Sequence, residues 1–281
     1  MLSRRDFHKV ALATFPAAAA FAKPNSKING VQIGVQSYSF RDRPLDQAIE
    51  GMVEVGLSSC ELWQGHVEPK VRGEELKKWR LETPLAEFEK VRKKFVAAGI
   101  ELYAYNYSFR EDFSDEEIAR GFEMAKALGV KCLTASSNVT TAKRIDPFAK
   151  KAKMRVGMHN HSRIAENEFA TPDDFAKAMA GMSEYIAINL DIGHFTAANF
   201  DAVDYLKQHH QHIVTLHLKD RKKDQGANLP FGEGDTPIKE VLQVLKTNKY
   251  KIPANIEYEY KGADTLAEVK KCYAYCGAAL A

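Results

Sequence analysis

The chain has 281 residues, 45% of them hydrophobic and 27% charged, with a formal net charge of +3. That composition excludes a disordered or fibrous protein and suits one large α/β domain, since closed barrels of ~250 residues are ordinary. Without residues 1–22 the chain loses Arg4, Arg5 and Lys9 but only Asp6, so 40 cations become 37, 37 acids become 36, and the balance drops to +1. Such a surface carries no electrostatic footprint for nucleic acid.

The first residues read as a leader rather than as fold. Ser3-Arg4-Arg5-Asp6-Phe7 is charged, Val10 to Ala22 is apolar and small, and Ala20-Phe21-Ala22 fits an A-x-A cleavage site before Lys23. Paired arginines ahead of a modest apolar run read as a twin-arginine export signal, with a periplasmic mature protein of residues 23–281. An ordinary secretory signal is the alternative. The apolar run of ~13 residues is short for a bilayer, and no run of ~20 follows it, so no stable membrane anchor is expected after processing. Of the four cysteines, Cys60 and Cys132 lie in strand-like runs and read as small buried hydrophobes, while Cys272 and Cys276 stand one helical turn apart, poor geometry for a disulfide.

From residue 31 apolar runs alternate with amphipathic segments. A strand over Val31–Ser37 precedes a helix after Pro44. The second strand, Ser58–Trp63, leads through a long polar connection, 64–82, to a helix over Pro84–Ala98. The third, Glu101–Asn106, precedes a helix capped by Ser114 with Glu117 at capping-box spacing, and Gly129 ends that helix. The fourth, Val130–Ala135, is followed by a helix near Thr141–Lys151. The fifth, Arg155–His159, is followed by a helix opened by Thr171-Pro172 with Asp174 at the same spacing. The sixth, Ile186–Asp191, a helix near Asn199–His209 and the seventh, Ile213–Leu218, come next. A glycine-rich loop, Phe231–Asp235, precedes a helix over Pro237–Thr247. The eighth strand, Ile252–Tyr258, and a helix over Thr265–Cys276 close the chain. Eight strand–helix units imply a closed (β/α)8 barrel, one domain over 23–281. An open doubly wound sheet lacks support, because no G-x-G-x-x-G follows any strand.

In such barrels chemistry sits at the carboxyl ends of the strands. Those ends carry Gln36 and Tyr38, Glu61, Trp63 and His66, Tyr105 to Tyr107, Ser136 and Ser137, His159 to His161, Asp191 and His194, His217 to Asp220, and Glu257 and Glu259. Side chains two apart share a face, so His159 pairs with His161, His217 with Lys219, and Glu257 with Glu259. One strand histidine alone is more often a hydrogen-bonded structural residue. His159, Asp191, His217 and Glu257 at successive strand ends form a mixed nitrogen and oxygen set that suits Mn²⁺, Zn²⁺, Fe²⁺ or Co²⁺ better than Ca²⁺.

NLDIGHF, LHLKD, FGEGD and IEYEY, with CELW and MHNHS, resemble the xylose isomerase-like TIM-barrel family of sugar isomerases and epimerases. The resemblance covers essentially the whole mature chain. It implies one divalent metal, often Mn²⁺, held by Glu, Asp, His and Glu on strands five to eight. Asp191, His217 and Glu257 match three of these positions, and His159 stands where the family's first glutamate is expected, which puts simple two-carboxylate epimerisation in doubt. His159 is then either a ligand or the base. The implied chemistry chelates a keto-sugar, acidifies the neighbouring C–H and forms an enediolate, which is epimerised, isomerised or, by loss of a β-substituent from a 3-keto-glycoside, cleaved. Glu257 is the expected ligand and Glu259 or His159 the acid/base, with the two glutamates open to exchange. His194, Lys219 and Arg221 are candidates for substrate hydroxyls, although a solvated arginine is the plainer reading of Arg221. Trp63 could stack on a sugar face or simply pack.

Two other classes compete. A DNA-repair endonuclease family shares this barrel with three zincs, but it needs more ligands and a basic face. A sugar-binding protein with a decayed site would explain the missing glutamate but not the intact Asp191, His217 and Glu257. Oligomeric state is open, a homo-oligomer included. His209, His210 and His212 read as a solvated helix end, and Lys77-Lys78-Trp79-Arg80 as an exposed patch in a long loop or lid. Residues 1–27 fused to a reporter should be exported through the twin-arginine pore. Continued export from a strain lacking that pore would refute the route.

Overall fold

Eight short runs pair side by side into one closed parallel barrel in a computed structural model that describes residues 23–281. The expected leader, residues 1–22, lies outside the described residues. The strands are β1 (Val31–Gln36), β2 (Ser59–Trp63), β3 (Glu101–Asn106), β4 (Cys132–Ala135), β5 (Arg155–His159), β6 (Ile186–Asp191), β7 (Ile213–Leu218) and β8 (Ala254–Ile256). Each pairs in parallel with its sequence neighbour, and β8 pairs with β1 to close the ring. Burial explains the runs: every residue of β6 and of β7 is buried, as a sheet covered on both faces demands.

The covering helices are α1 (Leu45–Val55), α2 (Gly73–Glu82), α3 (Leu85–Ala98), α4 (Asp115–Leu128), α5 (Val139–Ala152), α6 (Pro172–Met179), α7 (Ile192–Ala197), α8 (Ala202–His209), α9 (Ile238–Asn248) and α10 (Thr265–Leu280). Both expected capping boxes form, Ser114 with Glu117 on α4 and Thr171 with Asp174 on α6. Gly56, Gly99 and Gly129 end α1, α3 and α4 in the left-handed conformation. All four cysteines are buried free thiols, Cys272 and Cys276 on the inner side of α10. No helix among the described residues is long and apolar enough to cross a membrane.

Four expectations need correction. The polar connection after β2 is no open loop, because residues 73–82 form α2 against α4. Arg80 is buried rather than part of an exposed patch. Its Nε and Nη2 donate to Glu68 at 2.7 and 3.0 Å, its Nη1 lies 3.6 Å from Glu117, and its guanidinium stacks on Phe113. The tertiary ion pair turns a charged, weakly patterned segment inward. The helix expected near 199–209 is α8, and a short unexpected helix, α7, precedes it, the two separated where Asn199 takes a left-handed φ of 68°. The last strand is shorter than expected, so Glu257 and Glu259 follow β8 rather than lie within it, although Glu257 N still donates to Leu218 O.

Register places the polar residues at one level of the mouth. Asp191 is opposite His217, and Gln36 is opposite Glu61. The Arg80 triad ties the segment after β2 to α4, with both glutamates almost fully buried. Arg80→Ala should therefore destabilise the fold by ~3–5 kcal/mol by leaving buried carboxylates unpaired. Urea unfolding followed by circular dichroism measures it.

Candidate metal centre

The site grows from the break between β6 and α7. Asp191 is the last residue of β6 and the N-cap of α7, and its Oδ1 accepts from His194 N at 2.7 Å. Its Oδ2 is left facing the barrel mouth. Asn160 fixes the backbone beneath, its side-chain amide donating to Asp191 O at 3.1 Å and accepting from Asp191 N at 2.9 Å. The glycine of the DIGHF stretch lets α7 close down on β7, because a Cβ at Gly193 would lie 2.5 Å from Lys219 O.

His159, Asp191, His217 and Glu257, all buried, bring one ligand atom each within 4.8 Å of one another. Two imidazoles and two carboxylates are the donor set of a first-row divalent ion. His159 Nδ1 and Asp191 Oδ2 have no hydrogen-bond partner, although Lys219 Nζ stands 3.2 Å from that oxygen. Buried orphan acceptors at the convergence of four ligand types fit a cation.

His217 is held from both ends. Its Nδ1 lies 3.1 Å from Glu257 Oε2 and its Nε2 lies 2.9 Å from Glu61 Oε2. Glu61 is completely buried and receives Gln36 Nε2, Thr134 Oγ1 and Asn255 Nδ2 as well. With Nε2–H given to Glu61, Nδ1 is the nitrogen a metal would take from Glu257 on displacing its hydrogen. Burial would lower the His217 pKa, but Glu61 and Glu257 override it and hold the ring well above its usual value. Burial would also raise Glu257, yet Lys219 and His217 keep it well below the carboxylate range. Asp191 is pushed up to about 6 by burial, against the pull of Lys219. His159 goes the other way: burial, then His217 and His161, press it well below the ordinary histidine value, so the ring is neutral and ready to donate a lone pair.

Lys219 is buried in the wall. Its Nζ lies 3.2 Å from Asp191, 3.0 Å from Glu257 and 2.5 Å from Glu259, so its three hydrogens match three carboxylates. Those acids raise its pKa against the burial that would lower it. His194 Nε2 lies 3.0 Å from the same Nζ. Behind His194, Arg221 Nη1 donates to Nδ1 at 2.7 Å and to Ser162 Oγ at 2.8 Å. A guanidinium and an ammonium both only donate, so His194 stands between two donors, Arg221 at Nδ1 and Lys219 at Nε2, for its one lone pair.

The pocket, about 340 Å³, is walled by Trp63, His161, His194, Lys219, Glu257 and Glu259 among others. Trp63 is half-buried, edge-on to Tyr38 at 5.0 Å and to His66 at 5.4 Å. The structure thus brings His159, Asp191, His217, Glu257, Glu259, His194, Lys219 and Trp63 to one mouth. Arg221 is the exception: it sits outside the lining and acts on His194, because its guanidinium is also drawn to Gly226 O at 2.6 Å.

Sequence reasoning gave Glu61 and Asn160 no role. The available signal was a lone carboxylate inside the apolar stretch CELW, and an asparagine between the histidines of HNH. Asp220 is likewise structural. Its Oδ2 accepts from Gly232 N and Gly234 N at 2.7 and 3.0 Å, and its Oδ1 from Thr236 N at 3.2 Å. A Cβ at Gly234 would collide with that carboxylate at 1.9 Å, which accounts for the glycine in FGEGD.

A family model described as xylose isomerase-like TIM barrel matches residues 52–274. An L-ribulose-5-phosphate 3-epimerase, UlaE, of Escherichia coli is 37% identical over 82 residues, a stretch spanning 29% of this chain and 29% of that relative. The 3-keto-D-glucoside 4-epimerase YcjR of Escherichia coli superposes with a TM-score of 0.66 at 13% identity, covering 88% of this chain and 98% of its own. A zinc-bound IOLI protein superposes with a TM-score of 0.66 at 15% identity, with the same coverage.

Glu61→Gln should keep the fold but weaken metal binding ~10–100-fold by loosening the grip on His217. Competition against a chelator reads it. Unchanged affinity would mean that Glu61 only fills space.

Proposed function

Since the chain belongs to the xylose isomerase-like TIM barrel family, we propose that it is a divalent-metal-dependent isomerase or epimerase acting on a keto-sugar through an enediolate. The observation that carries this reading is the buried group of two imidazoles and two carboxylates at the barrel mouth, with His159 Nδ1 unpartnered and Asp191 Oδ2 met by Lys219 alone. His159, Asp191, His217 and Glu257 would hold the ion; the donor set suits Mn²⁺, Zn²⁺, Fe²⁺ or Co²⁺, and the family resemblance is what puts Mn²⁺ first. A bound ion supplies Lewis-acid polarisation of a keto oxygen and its neighbouring hydroxyl.

The chain's own residues do the rest. Glu259 is a quarter exposed, faces the pocket and is ion-paired with Lys219, so it is placed to take a proton from the carbon beside the carbonyl. His194, in the lining between Arg221 and Lys219, is placed to meet a substrate oxygen, and Arg221 fixes its ring. Trp63 offers a ring face or edge to the sugar. With His159 as fourth ligand, Glu259 is the acid/base and Glu257 stays on the ion.

One observation favours a second reading. Both carboxylates that reach the pocket from outside the β6 strand end, Glu257 and Glu259, follow β8, and β5 contributes an imidazole instead of a glutamate. Epimerisation needs proton donors on two faces, whereas removing one proton and expelling a β-substituent needs one base. A lyase or hydratase acting on 3-keto-glycosides with the same residues is therefore the alternative. On the strength of residues 1–22 we place either activity in the periplasm.

Metal analysis by mass spectrometry tests the site. About one equivalent of Mn, Zn, Fe or Co is expected in the purified protein, and none in the Asp191→Ala, His217→Ala double variant. Loaded protein should exchange a carbon-bound hydrogen of a keto-sugar in D₂O. Metal-free protein after every ion has been offered, or no exchange with any sugar, would leave a sugar-binding protein instead.

A further inference from the structure

We infer that the pocket takes an uncharged sugar and discriminates against sugar phosphates, an inference that rests on the keto-sugar reading above. In (β/α)8 barrels a phosphate is typically held by backbone N–H groups in the loops after the seventh and eighth strands and at a short helix start. Here protein side chains already take those donors. In the loop after β7, the N–H groups of Gly232, Gly234 and Thr236 all donate to Asp220, so the glycine-rich turn encloses an internal carboxylate. In the loop after β8, Gly262 N donates to Tyr258 Oη at 3.0 Å, and Asp264 caps α10 by accepting from Ala267 N at 2.8 Å. At the start of α7, His194 N donates to Asp191.

The cations are committed as well. Lys219, the lysine in the lining, has one carboxylate for each of its three hydrogens. Arg221 is turned to the carbonyls of Gly226 and Gln225 and to His194 and Ser162. Arg41, on the turn after β1, donates to the carbonyls of Tyr38 and Tyr258 and lies over the Tyr38 ring. Besides Lys219 and the imidazoles, the lining is neutral or negative: Trp63 and Tyr38, the neutral donors Asn106 and Ser108, and Glu259 on the open side. A phosphate dianion entering beside Glu259 meets a like charge, while Lys219, Arg221 and Arg41 are already engaged by carboxylates, carbonyls and a ring. Like charges set face to face suppress a wrong ligand, whereas hydroxyls match the neutral donors and the indole.

The test uses the metal-loaded protein as purified from the producing cell. Three unphosphorylated ketoses or keto-glycosides (D-fructose, D-xylulose and methyl 3-keto-glucoside) are compared with D-fructose 6-phosphate and D-xylulose 5-phosphate. Carbon-bound hydrogen exchange in D₂O and quenching of tryptophan fluorescence are read for each. At least ~10-fold faster exchange or tighter binding of an unphosphorylated compound than of its phosphate is expected. Equal or better handling of the phosphate esters would overturn the discrimination while leaving the keto-sugar reading standing. Neither exchange nor binding with any of the five would overturn both.

Discussion

A single imidazole, His217, is clamped between two buried carboxylates, and the mouth of the barrel is arranged around that clamp. Glu61 takes Nε2 from inside the barrel and Glu257 faces Nδ1 from the next strand end. Unpaired carboxylates at this depth would be costly, and so would an unpaired imidazolium, so each group makes the others tolerable. The arrangement also aims Nδ1 at the point where His159, Asp191 and Glu257 converge. Gln36, Thr134 and Asn255 exist at their positions to finish the hydrogen bonding of Glu61, and they come from three different strands. Removing any one strand's register would break the clamp.

Polar side chains here divide their work between fold and chemistry. Asp191 caps α7 with one oxygen and turns the other toward the site. Glu117 closes a capping box on α4 and also faces Arg80. Asp220, by contrast, is structural: it organises the loop that forms one side of the mouth and takes the amides of Gly232, Gly234 and Thr236 for itself. Lys219 pairs with the carboxylates of Asp191, Glu257 and Glu259, and Arg221 holds the ring of His194 from behind.

The departure at β5 shapes the chemistry. The end of β5 carries an imidazole kept neutral by burial where the family resemblance implies a carboxylate, so that side of the pocket offers a nitrogen in place of an acid. The acids that reach the open pocket, Glu257 and Glu259, come from one strand end. That asymmetry favours chemistry with one mobile proton over a symmetrical exchange between two faces, and it is the physical basis for keeping a lyase reading beside the isomerase.

The eight-fold alternation, the capping boxes at Ser114 and Thr171, and the ligand types at 159, 191, 217 and 257 were all legible in the sequence. They depend on local patterning: burial of a parallel strand leaves an apolar run, and a strand's last residue names itself by breaking that run. Other features follow from contacts between residues far apart in the chain. Nothing near Arg80 says that Glu68 and Glu117 will meet it, so α2 looked like an exposed loop. Nothing in CELW says that Glu61 will reach His217, 156 residues away. Nothing in LHLKDR separates Lys219, which faces the pocket, from Arg221, which a carbonyl at Gly226 pulls behind His194. Sequence by itself determined which chemistry was available and at which strand ends. Tertiary structure decided which groups were spent on one another and which were left to face a ligand, because that choice depends on distances of about 3 Å between strands whose pairing only the closed barrel enforces.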